Sequence, residues 1–288
     1  MDVPVAMSAA HCTTIGDTIY TGGGVTDDNK SIFCIFKYSI SNNKWSMLPP
    51  CPTKWFGLGQ VSGNLVTVGG CLLSRRAISN VFVFDEASQQ WKNNVIPPMP
   101  TSRARLCVVS HDSGLVAGGG FNNMYQFLST VEVYKSETNQ WYSTAPLPIP
   151  CAGMRAVKIR NSCYLLGGFF PRMETECGIT NCFYIDMDQL FSQTATYNGT
   201  EWKKVMNVPE KMATPGNVAG SLLAIGGRDS RKIHVYSPNT ESWVHIADLP
   251  HELRSTTSVL LPNGQLIVIG GNEQCRSKNV LIGSLLPW

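Results

Sequence analysis

Short runs of alternating apolar and polar residues recur along the whole chain, separated by turn residues. In one example the run Gly57–Val61 turns at Ser62-Gly63-Asn64 into the apolar run Leu65–Val68. A third alternating run covers Asn80–Asp85, and Trp91 lies in a fourth. Alternation with a period of two and closely spaced turns predict β-strands, and no window has the period of a helix. The pattern predicts an all-β protein built from four-stranded units.

A glycine doublet closes the second apolar run of each unit and marks an internal repeat of about 48 residues. The doublets are Gly22-Gly23, Gly69-Gly70, Gly118-Gly119, Gly167-Gly168, Gly226-Gly227 and Gly270-Gly271, with Gly120 leaving the third frame ambiguous by one residue. Glycine at this place allows a close approach of backbones that a side chain would prevent. Six units in step account for the whole chain.

A second periodic feature follows four of the doublets, namely an aromatic residue seven positions before a tryptophan. The pairs are Tyr38 and Trp45, Phe84 and Trp91, Tyr134 and Trp141, and Tyr236 and Trp243; the fourth unit departs from the spacing, with Tyr197 five positions before Trp202. Large aromatic side chains supply the buried area that joins neighbouring sheets. Four-stranded antiparallel sheets repeated radially form a β-propeller, so we expect six blades.

The glycine doublet, the aromatic residue and the tryptophan resemble the Kelch repeat, and the resemblance extends from Ala6 to the C-terminus. It implies a six-bladed Kelch-type propeller that binds proteins or peptides without catalysis, often as the substrate-recruiting part of a ubiquitin-ligase adaptor. The resemblance leaves two alternatives open. One is a Kelch-like enzyme of the oxidase or sugar epimerase type, and the other is a cytoskeletal module that binds actin.

The repeat frame divides the chain into one domain of six blades. Their approximate limits are 5–47, 52–97, 101–147, 151–208, 212–249 and 254–288. The last unit lacks the pattern of a fourth strand, so we expect residues 1–4 to complete it and the chain to be a domain of a longer protein. The fourth unit is the longest, which predicts a third strand over Cys182–Asp188, a protruding loop near 188–196 and one helical turn at Met187–Phe191.

Composition narrows the classes of partner. Charged residues make up 15% of the chain and the net charge is +3, which is too small for a general binder of nucleic acid. No apolar run reaches the roughly 18 residues of a membrane span, and the N-terminus lacks the pattern of a secretory signal. Ten scattered cysteines favour free thiols in a reducing cytoplasm, although the sequon at Asn198 points the other way. We therefore expect a monomeric cytoplasmic propeller that binds neither nucleic acid nor membrane.

Residue patterns typical of catalysis or metal binding are absent from the sequence. The five histidines fall at unrelated repeat positions without metal-ligand spacing, and Cys177 and Cys182 lack a second pair of ligands. The triplets that begin at Gly22 and Gly118 precede no helical pattern, which argues against a phosphate-binding loop. We therefore expect no catalytic residue, no metal and no cofactor.

Binding residues are expected on the face that carries the loops between second and third strands and the connections between blades. This face, which we call the basic face, contains more arginine and lysine than acidic residues, so we expect a protein or peptide partner with acidic residues. Similar propellers place contacting side chains directly after the doublet and at an arginine-type position upstream of it. The first set here is Cys71, Phe121, Phe169, Arg228 and Asn272, and the second is Trp55, Arg103 and Arg254, with Cys151 and Met212 in looser register.

From these two sets we select the candidate partner-binding residues, because arginine and aromatic side chains dominate binding hot spots. They are Trp55, Arg103, Phe121, Phe169, Arg228, Arg254 and Asn272. We expect Arg103, Arg228 and Arg254 to surround the channel mouth. The alternative for Trp55, Phe121 and Phe169 is that each packs only against its own blade.

Overall fold

The structure is a computed structural model of the 288-residue chain. It describes residues 2–26, 28, 30–168, 180–186, 202–210, 213–218, 220–237, 239–261, 263–271, 278 and 280–283. These residues form antiparallel β-sheets, as the alternating pattern predicts, and contain no α-helix. In the described part of the chain no helix has the length and apolarity needed to cross a membrane.

The first three sheets each have four strands that pair in chain order. Sheet one contains β1 (His11–Ile15), β2 (Thr18–Gly22), β3 (Ile35–Ser39) and β4 (Lys44–Met47). Sheet two contains β5 (Gly57–Val61), β6 (Asn64–Val68), β7 (Val81–Asp85) and β8 (Gln90–Asn93). Sheet three contains β9 (Cys107–His111), β10 (Gly114–Gly118), β11 (Val131–Lys135) and β12 (Gln140–Thr144).

The remaining sheets continue the same order. Sheet four contains β13 (Arg155–Ile159), β14 (Ser162–Leu166), β15 (Thr180–Asp186) and β16 (Lys203–Val208). Sheet five contains β17 (Thr214–Val218), β18 (Ser221–Gly227), β19 (Ser230–Ser237) and β20 (Ser242–Asp248). The sixth sheet has three strands among the described residues, β21 (Thr257–Leu260), β22 (Leu266–Ile269) and β23 (Val280–Gly283).

The first strands of successive sheets contact one another around a central channel. Strand β1 contacts β5, the contacts continue through β9, β13, β17 and β21, and β21 contacts β1 again. Buried clusters lie between neighbouring sheets; one of them joins Val109 of sheet three to Leu165 of sheet four. The sheets are therefore the blades of a closed propeller, with five four-stranded blades and a sixth of which three strands are described.

The aromatic and tryptophan pairs lie where the repeat predicts. Tyr38, Phe84, Tyr134 and Tyr236 each stand directly opposite their tryptophan on the third and fourth strands, with ring centroids 5.0 to 5.5 Å apart. Three indole N–H groups reach back to a backbone carbonyl in the preceding blade. Trp91 donates to Pro49 at 2.9 Å, Trp141 to Pro97 at 2.8 Å and Trp202 to Ala145 at 3.1 Å. These bonds connect the outer parts of blades two, three and four to the blade that precedes each of them.

Each glycine doublet connects its blade to the next near the channel. In blade one the doublet is Gly23-Gly24, one residue later than the sequence frame predicts. In blade three it is Gly119-Gly120, which settles the ambiguity of one residue in that frame. In four of the doublets the second glycine donates its N–H to a carbonyl of the following blade, as from Gly120 to Cys151 at 2.8 Å. A Cβ at Gly120 would lie 2.7 Å from the Ala104 carbonyl oxygen. Glycine is required there for both conformation and space.

The ends of the chain meet at the sixth blade. Gly271 donates its N–H to the Met7 carbonyl of blade one at 2.9 Å, and Val3 donates to the carbonyl of Lys278 at 2.9 Å. Val3 is buried in a cluster with residues of blades one and six. These contacts support our proposal that residues 1–4 complete blade six. In blade four, β15 overlaps the predicted third strand, whereas the loop near 188–196 and the helical turn at 187–191 lie outside the described residues.

Candidate functional site at the channel opening

Two positions before five of the six innermost strands, the chain passes a residue that lines the channel opening and has a left-handed backbone conformation. The equivalent residues have φ angles of 53° to 72° and are Ala9, Trp55, Arg105, Gly153 and Ser255. Their backbones bond directly to one another. Arg105 donates its N–H to the Trp55 carbonyl at 2.9 Å, Gly153 donates to Arg105 at 2.8 Å, and Ala9 donates to Ser255 at 2.8 Å. These three bonds link neighbouring blades around the opening, and backbone conformations of this kind often occur at functional sites.

A cavity of about 200 Å³ lies at this opening. Its wall includes the side chains of Trp55 and Arg105 from these left-handed positions, and those of His11, Arg155 and Thr214 at the starts of strands β1, β13 and β17. The volume is below the 300 to 1,000 Å³ typical of sites for small molecules. It is suited to a side chain of a partner or a similarly small group.

The cavity contains two positive charges with no negative partner among the described residues. No described carboxylate forms an ion pair with Arg105 or Arg155. The Arg155 Nη1 reaches only the carbonyls of Gly153 and Met154, each at 3.4 Å, and its buried Nε has no hydrogen-bond partner. Burial, followed by the charge of Arg105, lowers the pKa of Arg155 to about 10. Burial also lowers the pKa of Arg105.

Two further titratable groups near the cavity, His11 and Cys12, are neutral at pH 7. Burial and the charge of Arg155 lower the pKa of His11 to about 3, so its imidazole is uncharged. Burial raises the pKa of the Cys12 thiol to about 11. Within the described residues, no three His, Cys, Asp or Glu side chains are grouped as metal ligands would be. The charge of the opening therefore comes from its two arginines, and an anionic group is the chemistry that it can accept.

Aromatic side chains continue from the cavity to the outside of the basic face. The Arg105 guanidinium lies over the Trp55 ring, 4.7 Å from its centroid, and Lys54 lies 5.0 Å from the same centroid. Trp55 meets Phe121 edge to face at 6.1 Å, and Phe121 stacks on Tyr125 at 5.7 Å. Trp55 and Phe121 thus pack against each other across blades two and three. Cys71 is buried beside them, and Cys151 is also buried.

Arg103 has a structural environment, which corrects the expectation that it presents its guanidinium to a partner. Its side chain is wholly buried and forms an ion pair with Glu132 at 3.0 Å. It also donates to the carbonyls of Gly119 and Thr130 and to the Thr130 hydroxyl. The glycine-doublet turn, Thr130 and Glu132 thus engage both terminal nitrogens of the guanidinium. Arg105, two residues later, occupies the channel position instead.

Of the remaining predicted residues, Arg228 and Arg254 do not line this cavity. Arg228 lies in the turn between β18 and β19, with its side chain 52% exposed and Asp229 at 3.7 Å. Arg254 is partly buried just before β21 and does not line the cavity. Phe169, Asn272 and Met212 lie outside the described residues. Arg103, Arg228 and Arg254 therefore do not form the ring of arginines that the repeat register predicted.

Sequence reasoning did not select Arg105, Arg155 or Tyr125 as site residues. A signal for Arg155 was nevertheless present, because it occupies the first position of its inner strand, as His11 and Cys107 do in theirs. Arg105 stands at the repeat position of Trp55. Comparison of that position between repeats could have found it.

Comparison with known proteins agrees with this architecture. The description "KLHDC2/KLHL20/DRC7 Kelch-repeats domain" matches residues 56–271, and "Kelch motif" matches residues 6–52. The chain belongs to the Kelch-repeat family. Its Kelch propeller is similar to the solved "Structure of YjhT", with a TM-score of 0.78 and 17% identity over 99% of this chain and 96% of that one. This likeness concerns the fold alone.

Curated relatives of the Kelch propeller are longer proteins. Kelch-like protein 23 of Pongo abelii is 25% identical over 263 residues, which cover 87% of this chain and 43% of the relative. Kelch-like protein 38 of Homo sapiens is 23% identical over 263 residues, which cover 90% of this chain and 43% of the relative. The Kelch propeller thus spans less than half the length of these relatives.

Proposed function

We propose that this Kelch propeller is a non-enzymatic module that binds a protein or peptide by an acidic group at the channel opening. The observation that carries the proposal is the pair of uncompensated guanidiniums of Arg105 and Arg155. An unpaired buried charge is unfavourable, and a carboxylate of a partner would relieve the cost at both arginines. Arginine presents planar donors suited to a carboxylate.

The size and walls of the cavity also favour a partner over a substrate. About 200 Å³ admits a side chain, and the Trp55 ring beside Arg105 supplies apolar area next to the charge. Charged donors beside an aromatic wall are typical of interface hot spots. We propose no cofactor, nucleic acid or membrane for this site, and we propose that the propeller itself is monomeric.

In the cell, we propose that the propeller is the partner-recruiting part of a larger cytoplasmic protein such as a ubiquitin-ligase adaptor. The lengths of its Kelch-like relatives support a larger protein. The seven cysteines whose side chains are described are free, which supports a reducing compartment.

Selection of short random peptides displayed on phage tests the binding proposal. Peptides captured by the propeller should be enriched in Asp and Glu, and synthetic copies should bind with an affinity measurable by fluorescence anisotropy. Arg105→Ala and Arg155→Ala should each weaken a selected acidic peptide by roughly 30-fold, the loss expected when a hot spot worth about 2 kcal/mol is removed.

Arg160→Ala is the matched control, because Arg160 is exposed in the turn between β13 and β14 on the opposite face. That variant should bind like the parent protein. Equal binding by the double variant Arg105→Ala, Arg155→Ala at all salt concentrations would contradict the proposal. Metal analysis and actin co-sedimentation of the same preparation test the oxidase and cytoskeletal alternatives.

A further inference from the structure

Two neighbouring loops on the basic face have the same closed conformation. They connect β6 to β7 in blade two and β10 to β11 in blade three, and isolated bridges close them, Cys71 with Ala77 and Phe121 with Phe127. Equivalent backbone bonds close both tips, from Leu72 to Arg76 at 3.0 Å and from Asn122 to Gln126 at 3.1 Å. Each tip is therefore a preformed turn.

A side-chain amide joins the two loops across the blade boundary. The Asn123 Oδ1 accepts the Ala77 N–H at 2.6 Å, and its Nδ2 donates to the Ala77 carbonyl at 3.3 Å. Non-glycine residues with positive φ stand at both tips, Arg75 at 65° and Tyr125 at 57°. The loops of blades two and three are thus joined into one surface, which we call the platform.

This platform exposes large apolar side chains. Leu73 is 80% exposed, Met124 76% and Tyr125 62%, and Leu72 lies beside them at 37%. Exposed apolar residues that are scattered singly are ordinary, but four on two loops joined to each other form a surface suited to a partner. Arg75 and Arg76 share the same loop tip as Leu72 and Leu73, and no described carboxylate pairs with either arginine.

The platform is continuous with the channel opening. Three successive contacts, Arg105 on Trp55 at 4.7 Å, Trp55 on Phe121 at 6.1 Å and Phe121 on Tyr125 at 5.7 Å, lead from the cavity to the exposed tip. At roughly 3.3 Å per residue of extended chain, about three to five residues of a peptide would follow this track.

We propose that Leu72, Leu73, Met124 and Tyr125 form the apolar half of a two-part peptide site whose acidic half is the Arg105 and Arg155 cavity. The inference rests on the proposed function and specifies its partner. The occupant is an extended peptide that places a carboxylate in the cavity and aliphatic or aromatic side chains about three to five residues away on the platform. Further acidic residues of the peptide lie near Arg75 and Arg76.

The displayed random peptides provide the test, because they report the two halves separately. Selected sequences should contain an acidic residue and, at a constant spacing of about three to five positions, an apolar residue. The double variant Met124→Ser, Tyr125→Ser and the single variant Leu73→Ser should each weaken such a peptide by about tenfold or more, as expected when contacts worth about 1.4 kcal/mol are lost. Replacing the apolar residue of the peptide with Ser should remove this difference between parent and variants.

Val244→Ser is the matched control, because Val244 is also a half-exposed apolar residue but lies on β20 of blade five. It should leave binding unchanged, and circular dichroism should show the same fold in all variants. Acidic peptides without an apolar preference would overturn the two-part site while leaving the proposed function intact. Apolar peptides without an acidic residue would overturn the acidic half, and hence both proposals.

Discussion

The uncompensated charge of Arg155 leads to a prediction in which stability and binding change in opposite directions. Arg155→Met removes the guanidinium but keeps an unbranched apolar side chain that can fill the space. Because burial lowers the pKa of Arg155 from its ordinary value to about 10, the native state holds the proton less favourably than the unfolded chain does. This difference corresponds to an upper limit of about 3 kcal/mol at 1.36 kcal/mol per pKa unit.

The sign follows from the direction of the shift. The unfolded chain binds more protons than the native protein between about pH 10 and the ordinary pKa of arginine, so stability rises with pH only in that window. At pH 7, below both values, the full cost of the buried charge is present. Some packing and the two 3.4 Å contacts to backbone carbonyls are lost on substitution, so we expect a net gain of about 1 to 2 kcal/mol in the free energy of unfolding.

Urea denaturation at neutral pH measures this gain. Arg155→Met should shift the midpoint to higher urea without a change in slope, while binding of selected acidic peptides is lost. Arg155→Lys keeps the charge and should remain less stable than Arg155→Met, and Arg160→Met on the opposite face should change neither quantity appreciably. A loss of more than about 1 kcal/mol in Arg155→Met would refute the reasoning, because the guanidinium would then stabilise the fold.

Three further predictions concern the scaffold and its pH dependence. Arg103→Ala should destabilise the protein by about 3 to 5 kcal/mol in urea, since it leaves Glu132 buried without its partner; a loss below about 1 kcal/mol would contradict this role. The pKa of His11 is lowered from 6.5 to about 3. The free energy of unfolding should therefore decrease as the pH falls through that window, by up to about 1.4 kcal/mol per pH unit. Urea titrations at several pH values should show a shallower decrease for His11→Gln. Gly120→Ala should lower the thermal unfolding midpoint more than Gly63→Ala does. Both glycines have positive φ, but only Gly120 has a carbonyl oxygen within 2.7 Å of the new Cβ. Equal shifts in the midpoint would show that the close approach is unimportant.

Much of the fold could be predicted from the sequence because its signals are local and repeated. Alternation along segments such as Gly57–Val61 predicts strands, and the spacing of Phe84 and Trp91 places the two residues opposite each other across a pair of adjacent strands. Each repeat supplies the same evidence again, so the period identifies the blade without knowledge of distant contacts. Only the one-residue frame of the doublets in blades one and three needed coordinates, because three consecutive glycines offer two equivalent readings.

The candidate site could be predicted only in part. Trp55 and Phe121 were selected and do pack together, whereas the acidic partner predicted from the basic loops remains a proposal. Arg103 and Arg105 are two positions apart, and the local sequence pattern does not distinguish their roles. Their roles separate because Arg103 meets Glu132 from the third strand of its blade, whereas the left-handed backbone at Arg105 places its side chain beside Trp55 of another blade.

The sequence by itself therefore determined the repeat, the strands and the residue types available on each face. The tertiary structure alone decided which charges are compensated and which are not. Compensation depends on contacts between segments far apart in the chain, such as Arg105 and Arg155 meeting in one cavity from blades three and four. Local pattern carries no information about such a meeting, because the Coulomb energy of a buried group depends on distance in space and on access to water.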